Sequence, residues 1–214
     1  MKAIIFDFDG TLANTLPICY YAFQSVFKEY DNREITPSEI IEMFGPSEVG
    51  ILRKNLLSAR KDEAIEYFYQ QYARFHKDLV IANKDIHKIV TLLKEMDIKL
   101  GIFTGKAKRS LDISLEKLDM EGLFDCLITG DDVSKPKPDP EGLVKALSLL
   151  KVESSEAIFV GDSDADIIAG VQANVFTIGV QWLPEYQTAT FSEQPNLLIS
   201  SVTEFENYVK AGVR

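Results

Sequence analysis

The chain has 214 residues, of which 46% are hydrophobic and 26% charged. This composition is typical of a folded globular protein and excludes an intrinsically disordered chain. Lys and Arg total 23 against 33 Asp and Glu, and the resulting net charge of −10 disfavours binding to nucleic acid or to an anionic membrane. A small anionic ligand would therefore need local help, such as a metal ion.

The two cysteines, Cys19 and Cys126, lie far apart and show no CxxC or Cys/His spacing. We therefore expect reduced, buried thiols rather than a disulfide or a zinc site. The apolar run at residues 3–6 is too short for a signal peptide, and no stretch is long enough to span a bilayer. These features predict a cytoplasmic protein without a membrane partner.

Short apolar segments alternate with helix-period segments along most of the chain. Each apolar segment has the length of a buried strand: KAIIF (2–6), IKLGIF (98–103), CLIT (126–129), AIFVG (157–161) and VFTIGV (175–180). Helical periodicity separates most of them, at residues 87–96, 108–118 and 140–150. This alternation predicts an α/β fold with a Rossmann-like parallel sheet core and helices on both faces.

Between the first two strands, residues 17–80 are helical in pattern throughout, with Thr36 as a predicted N-cap before Pro37. A single crossover needs only one helix, whereas this insert is long enough for a small helical bundle. We predict a core domain formed by residues 1–15 and 81–214, and a smaller helical domain at 16–80. The joints are expected at residues 13–16 and 79–84.

Polar residues follow the predicted strands at the edge where the carboxyl ends of parallel strands meet. Asp7 and Asp9 follow the first strand, and Thr104-Gly105-Lys106 follows the second. The segment 134–140 carries two lysines before a helix, and the acid-rich segment 161–166 follows the fourth strand. Because α/β proteins bind ligands at this edge, we expect these segments to form one site.

In order and in strand context, these segments resemble the motifs of the haloacid dehalogenase superfamily. The motifs are DxDGT, a Thr or Ser after an apolar strand, a Lys before a helix, and GDxxxD. They are matched by Asp7-Phe8-Asp9-Gly10-Thr11, by Thr104, by Lys137, and by Gly161-Asp162 with Asp166. The resemblance covers essentially the whole chain. It is greatest to members with a helical cap inserted after the first motif, such as phosphoglycolate phosphatases.

A phosphate ester repels an attacking carboxylate unless cations neutralise both, so a carboxylate nucleophile requires a metal ion and a lysine nearby. Clustered carboxylates suit Mg²⁺, which takes one or two of them and keeps waters. The resemblance implies that Asp7 is the nucleophile and a metal ligand. It also implies that the Asp9 carbonyl and Asp162 are further ligands, and that Asp166 holds a metal-bound water or Lys137.

The same resemblance assigns the phosphate contacts and the proton transfers. Thr104 and Lys137 would bind the phosphoryl oxygens, together with backbone N–H groups at Gly10, Thr11 and Gly105. The Asp9 side chain would act as general acid and base. Family members that act on carbon–halogen or carbon–phosphorus bonds lack an acid at the position of Asp9, so this residue favours phosphoester chemistry.

Four further basic residues near these motifs are interpreted from their positions in the sequence. Lys135 and Lys137 both precede a proline, and we assign the motif to Lys137 because it directly precedes Pro-Asp-Pro at the helix entry. Lys106 and Arg109 either contact the substrate or only form a solvated helix start.

Other polar and aromatic residues have structural interpretations. We interpret three acids as turn formers or helix caps: Asp131, Asp132 and Asp139. His76 and His87 lie in mostly polar helical surroundings and are predicted at the surface. The aromatic stripe at Tyr67, Phe68, Tyr72 and Phe75 is predicted to form the core of the insert.

Substrate choice is assigned by resemblance to the insert, which would close over the site as a cap. The loop at residues 43–48 resembles the specificity loop of such caps and makes Ser47 and Glu48 candidate substrate contacts. Sugar-phosphate mutases with this cap carry an arginine and a histidine where the present chain has Glu48 and Cys19, which disfavours the mutase alternative.

The sequence thus predicts a Mg²⁺-dependent phosphatase for a small phosphorylated metabolite, working through an aspartyl-phosphate as a monomer or weak homodimer. A sugar-phosphate mutase, a pyrophosphatase and a non-catalytic phosphometabolite-binding protein are the alternatives.

Overall fold

The computed structural model describes residues 1–212 and contains one parallel sheet of six strands. The strands are β1 (Ala3–Phe6), β2 (Lys99–Phe103), β3 (Cys126–Ile128), β4 (Ala157–Gly161), β5 (Phe176–Val180) and β6 (Leu197–Ile199). Their order across the sheet is β3-β2-β1-β4-β5-β6, and every neighbouring pair is parallel. Since β1 lies between β2 and β4, the ends of these three strands are adjacent.

Helices cover both faces of this sheet. They are α5 (Lys84–Glu95), α6 (Lys108–Lys117), α7 (Glu141–Leu150), α8 (Asp164–Gln172) and α9 (Val202–Gly212). Successive β1 residues point to opposite faces: Ile4 packs in the apolar cluster that includes α5 and α9, and Ile5 packs in the cluster with α7. Both clusters are buried, which confirms the predicted Rossmann-like α/β core.

Between β1 and α5 the chain forms four helices: α1 (Leu16–Asp31), α2 (Pro37–Glu42), α3 (Glu48–Asn55) and α4 (Lys61–Leu79). Thr36 caps α2, because its side chain accepts a hydrogen bond from the backbone N–H of Glu39. In α4, Phe68 and Tyr72 are fully buried, as the aromatic stripe predicts, and the Phe68 ring lies 4.8 Å from the Phe23 ring of α1. The apolar core of these helices is continuous with one face of the sheet, and the assignment of residues 16–80 to a separate domain stays a prediction.

The apolar runs of the sequence predict five of the six strands but not β6, and the predicted helices do not include α8 or α9. β6 has only three residues, and Leu198 at its centre is 47% exposed at the edge of the sheet. α9 packs on the sheet through Val202, Phe205 and Val209. Within residues 1–212, no helix combines the length and the apolar character needed to cross a membrane.

Candidate active site

Three buried acids meet at the carboxyl edge of the sheet. Asp7 directly follows β1, Asp162 directly follows β4, and Asp166 lies in the first turn of α8. One carboxylate oxygen from each lies within 4.8 Å of the others. Asp162 and Asp166 are fully buried and Asp7 is 3% exposed. This group provides hard oxygen ligands of the type that Mg²⁺ prefers, so its chemistry fits the predicted metal.

Lys137 reaches into this group of acids. Its Nζ lies 2.6 Å from Asp7 Oδ1 and 2.5 Å from Asp166 Oδ1, and it also donates to the carbonyl of Phe103 at 3.2 Å. The other Asp166 oxygen accepts hydrogen bonds from the backbone and hydroxyl of Ser163. Both oxygens of Asp166 are therefore engaged, and the residue holds Lys137. Lys135, in contrast, is exposed, and its ammonium lies 3.6 Å from Asp139 Oδ2.

Burial and mutual repulsion shift the ionisation of these groups. Burial, followed by the charges of Asp166 and Asp9, raises the pKa of Asp7 to about 7, although Lys137 opposes the shift. Burial beside Asp7 and Asp166 likewise raises the pKa of Asp162 well above its usual value. Burial disfavours the charge of Lys137, but Asp166 and Asp7 overcome it and raise its pKa. A cation bound among these carboxylates would favour their ionised forms.

The turn after Asp7 is built for close approach to Asp162. Gly10 has a φ of +86°, and a side-chain Cβ at this position would collide with the Asp162 carboxylate. The Thr11 hydroxyl donates to Asp162 Oδ1 at 3.1 Å, and Thr11 is fully buried. The Thr11 side chain therefore holds Asp162. The backbone N–H groups of Gly10 and Thr11, which are predicted phosphate contacts, donate within the turn to the carbonyls of Ala13 and Phe8.

Thr104 and Gly105 lie beside the acids, just after β2. Thr104 is buried, and its hydroxyl oxygen accepts a hydrogen bond from the backbone N–H of Lys106 at 3.2 Å. Both residues line the cavity above Asp7. They lie where the resemblance predicts phosphate contacts.

Asp9 lines the same cavity but is not a member of the group of three acids. The Thr15 hydroxyl donates to its carboxylate, and the Lys106 ammonium lies 3.0 Å from the same oxygen. The cavity holds about 330 Å³, and its polar floor carries Asp7, Asp9 and Lys137. Apolar side chains from the helical insert form the opposite wall: Leu16, Phe23, Phe44 and Ile51.

The two predicted specificity residues lie in different surroundings. Glu48 lines the cavity, but both of its oxygens accept hydrogen bonds from the first turn of α6 and from the residue before it. Ser47 is the N-cap residue of α3 and packs next to Gly130. Among the described residues, Ser47 is outside the cavity lining, so a substrate contact through it stays a prediction.

Lys106 and Arg109 lie in different places, one in the cavity lining and one at the surface. Lys106 is 4% exposed, lines the cavity and pairs with Asp9. Arg109 lies at the surface, where it pairs with Glu66 at 2.5 Å and stacks over the Tyr69 ring. It therefore links α6 to α4 outside the cavity.

The surface prediction for His76 is wrong. His76 is 1% exposed, and its ring nitrogen lies 3.1 Å from the Ser114 hydroxyl, which also bonds Tyr72. Burial, with a contribution from the Lys106 charge, lowers the pKa of His76 to about 4. The imidazole therefore stays neutral near pH 7 between α4 and α6.

The acids interpreted as turn formers and caps have those roles. Asp131 accepts from the backbone N–H of Lys108 at the start of α6, and Asp132 accepts from the backbone N–H of Thr129. Asp139 accepts from the backbone N–H of Glu141 at the start of α7. Cys19 and Cys126 are buried free thiols, as predicted.

The parallel α/β fold brings buried acids together at the carboxyl edge of its sheet, which is the edge where α/β proteins bind ligands. A family model of haloacid dehalogenase-like hydrolases matches residues 4–180. The chain belongs to this family, which confirms the resemblance found in the sequence.

Relatives of known name match nearly the full length of the chain. The pyrophosphatase PpaX of Listeria monocytogenes is 34% identical over 206 residues, which cover 95% of this chain and 94% of that protein. The crystal structure of CbbY from Rhodobacter sphaeroides with phosphate has a TM-score of 0.84 at 20% identity and covers 96% of both chains. A predicted phosphoglycolate phosphatase from Haemophilus somnus has a TM-score of 0.80 at 19% identity and covers 98% of both chains.

Proposed function

We propose that the protein is a Mg²⁺-dependent phosphatase that hydrolyses a small phosphorylated metabolite through an aspartyl-phosphate on Asp7. The observation that carries the proposal is the carboxylate of Asp7, which faces the cavity with Lys137 at 2.6 Å and Asp162 and Asp166 in the same acidic group. This arrangement supplies a nucleophile and a cation at one point.

In the proposed first step, an Asp7 oxygen attacks phosphorus, and the bond between phosphorus and the leaving oxygen breaks. Asp9 gives its proton to that oxygen, which leaves as an alcohol. In the second step, Asp9 takes a proton from water as the water attacks phosphorus, and the bond from phosphorus to Asp7 breaks. Lys137 and Thr104 lie beside Asp7, where they can bind the equatorial phosphoryl oxygens in both steps.

The metal would be held by Asp7, by Asp162 and by the backbone carbonyl of Asp9, with Asp166 in the same acidic group. When bound, Mg²⁺ supplies positive charge that reduces the repulsion between the phosphoryl group and the carboxylates. The side chains of Thr11 and Lys137 hold Asp162 and Asp166 in place for this task.

The cavity supports a small substrate, because about 330 Å³ is near the lower end of the range for ligand sites. Phosphoglycolate and similar monoesters fit this class. Pyrophosphate is a second candidate, and the observation that favours it is the name of the 34% identical Listeria relative. A sugar-phosphate mutase would need to return the phosphoryl group to a second sugar hydroxyl.

The purified protein should be assayed with Mg²⁺ against p-nitrophenyl phosphate, phosphoglycolate, several sugar phosphates and inorganic pyrophosphate. Release of inorganic phosphate by the wild type but not by Asp7→Asn supports the phosphatase, and the best substrate identifies its class. A bisphosphate intermediate from a sugar phosphate would instead support the mutase. Specific binding of a phosphorylated metabolite without any turnover would support the non-catalytic alternative.

A further inference from the structure

A buried lysine beside Asp9 has no role in the family motifs that identify this chain. The Lys106 side chain is 1% exposed. Its Nζ lies 3.0 Å from Asp9 Oδ1 and 3.4 Å from Glu48 Oε1, so one ammonium group pairs with an acid of the sheet edge and an acid of the helical insert. A buried charge with two such partners is held in a defined position.

Two further contacts restrict this ammonium group. Cys19 Sγ of α1 lies 3.2 Å from Nζ, and the ring of Tyr72 in α4 lies beneath it at 4.9 Å. Both contacts come from the insert, whereas the Lys106 backbone belongs to the segment after β2. Lys106 therefore crosses from the core to the insert.

Glu48 fixes the other side of this link. Its Oε2 accepts from the backbone N–H of Ala107 at 2.5 Å, and its Oε1 accepts from the Ser110 hydroxyl at 2.6 Å. A carboxylate at the N-terminus of α6 is also favoured by the helix dipole. Glu48 thus joins α3 of the insert to the start of α6, where the Lys106 ammonium is also held.

We propose that Lys106 is a positioning residue, which orients the Asp9 carboxyl for proton transfer and links this orientation to the insert through Glu48. The inference rests on the proposed phosphatase function. Besides Lys106, the Asp9 side chain is held by the Thr15 hydroxyl, so the ammonium supplies the ionic contact at this carboxylate.

This role has a chemical signature. Proton transfer from a general acid matters most when the leaving oxygen is strongly basic, as in an alkyl phosphate. A nitrophenolate is a weak base and leaves with little help. Loss of Lys106 should therefore lower kcat/KM much more for alkyl esters than for p-nitrophenyl phosphate. General damage to the site would lower kcat/KM for both esters alike.

The test compares kcat/KM of Lys106→Met on p-nitrophenyl phosphate and on the best alkyl phosphate of the substrate panel. We expect a loss of about 10²-fold or more on the alkyl ester, since general acid catalysis contributes on the order of 10²–10⁴-fold, and a loss at least tenfold smaller on the aryl ester. Lys108→Met is the matched control, because Lys108 starts the same helix but is exposed and pairs with Asp112. It should leave both values unchanged.

Two further variants keep the test decisive. If Lys106 acts through Asp9, the alkyl ester rate of Asp9→Asn should fall little further on adding Lys106→Met. Should Lys106→Met fail to fold by circular dichroism, Glu48→Gln should give the same preferential loss on a smaller scale. Equal losses on both esters, or additive losses in the double variant, overturn the inference about Lys106 but leave the proposed phosphatase function standing. A wild type that hydrolyses neither ester with Mg²⁺ overturns the proposed function as well.

Discussion

Gly10 gives a direct test of how the first motif supports the acid group. The Gly10→Ala substitution has two separate unfavourable effects, one on the backbone and one on Asp162. The residue must keep a φ of +86°, and its Cβ would overlap the Asp162 carboxylate. Gly122 separates these costs, because it has a φ of +73° but, among the described residues, no neighbouring atom lies within 4 Å of the position that a Cβ would take. Gly122→Ala therefore carries the backbone cost alone.

The backbone cost can be converted into a melting temperature. A left-handed conformation costs an L-residue about 1–2 kcal/mol, and 1 kcal/mol corresponds to about 2–4 °C in a chain of this size. Gly122→Ala should lower Tm by roughly 2–8 °C with unchanged kcat/KM. Gly10→Ala should add the displacement of Asp162, and a misplacement of about 1 Å costs on the order of 10²-fold in rate.

Thermal unfolding with and without Mg²⁺, together with kcat/KM on one ester, measures both effects. We expect Mg²⁺ to raise the Tm of the wild type and of Gly122→Ala, since a ligand stabilises the state that binds it, and to raise that of Gly10→Ala less. The reasoning is refuted if Gly10→Ala loses no more activity than Gly122→Ala and responds to Mg²⁺ in the same way.

Three further predictions concern the nucleophile, the metal and the division of labour in the site. Asp7→Asn should lower kcat by orders of magnitude with an unchanged circular dichroism spectrum, and near-normal turnover would contradict a carboxylate nucleophile. Activity should be lost on chelation, restored by Mg²⁺ and suppressed by excess Ca²⁺, whose looser coordination misplaces the nucleophile; full activity after chelation would refute a metal site. Lys137→Ala should lower kcat/KM for all substrates alike, whereas Glu48→Gln or Ser47→Ala should change the ranking of the substrates in the panel; the reverse pattern would contradict our assignment.

The central strands could be predicted because strands buried on both faces are continuous apolar runs. The run at 157–161 matches β4 residue for residue, and that at 2–6 exceeds β1 by one residue. β6 could not be predicted, because it is a three-residue edge strand with one exposed leucine and follows a polar loop. Its place is set by pairing with β5, which is a tertiary effect.

The positions of Asp7, Asp162 and Lys137 could be predicted because parallel strands end at one edge of the sheet. The surroundings of Lys106 and His76 could not. Their polar sequence neighbours suggest solvent, but α4 packs against α6 and buries both side chains together with Ser114. Helical periodicity shows which face of a helix is apolar, but it does not show which polar residue receives a partner from another helix.

The charges around the cavity show why metal and substrate binding should depend on each other. Four motif acids and Glu48 surround two lysines, Lys106 and Lys137, so carboxyl groups outnumber ammonium groups around the cavity. A phosphate monoester, the proposed substrate, would bring two further negative charges into a site where burial weakens screening by water. A divalent cation at the acid group would offset that repulsion beside Asp7, where the proposed reaction places the phosphoryl group. Because such coupling is reciprocal, a bound phosphate must strengthen Mg²⁺ binding by the factor by which Mg²⁺ strengthens phosphate binding.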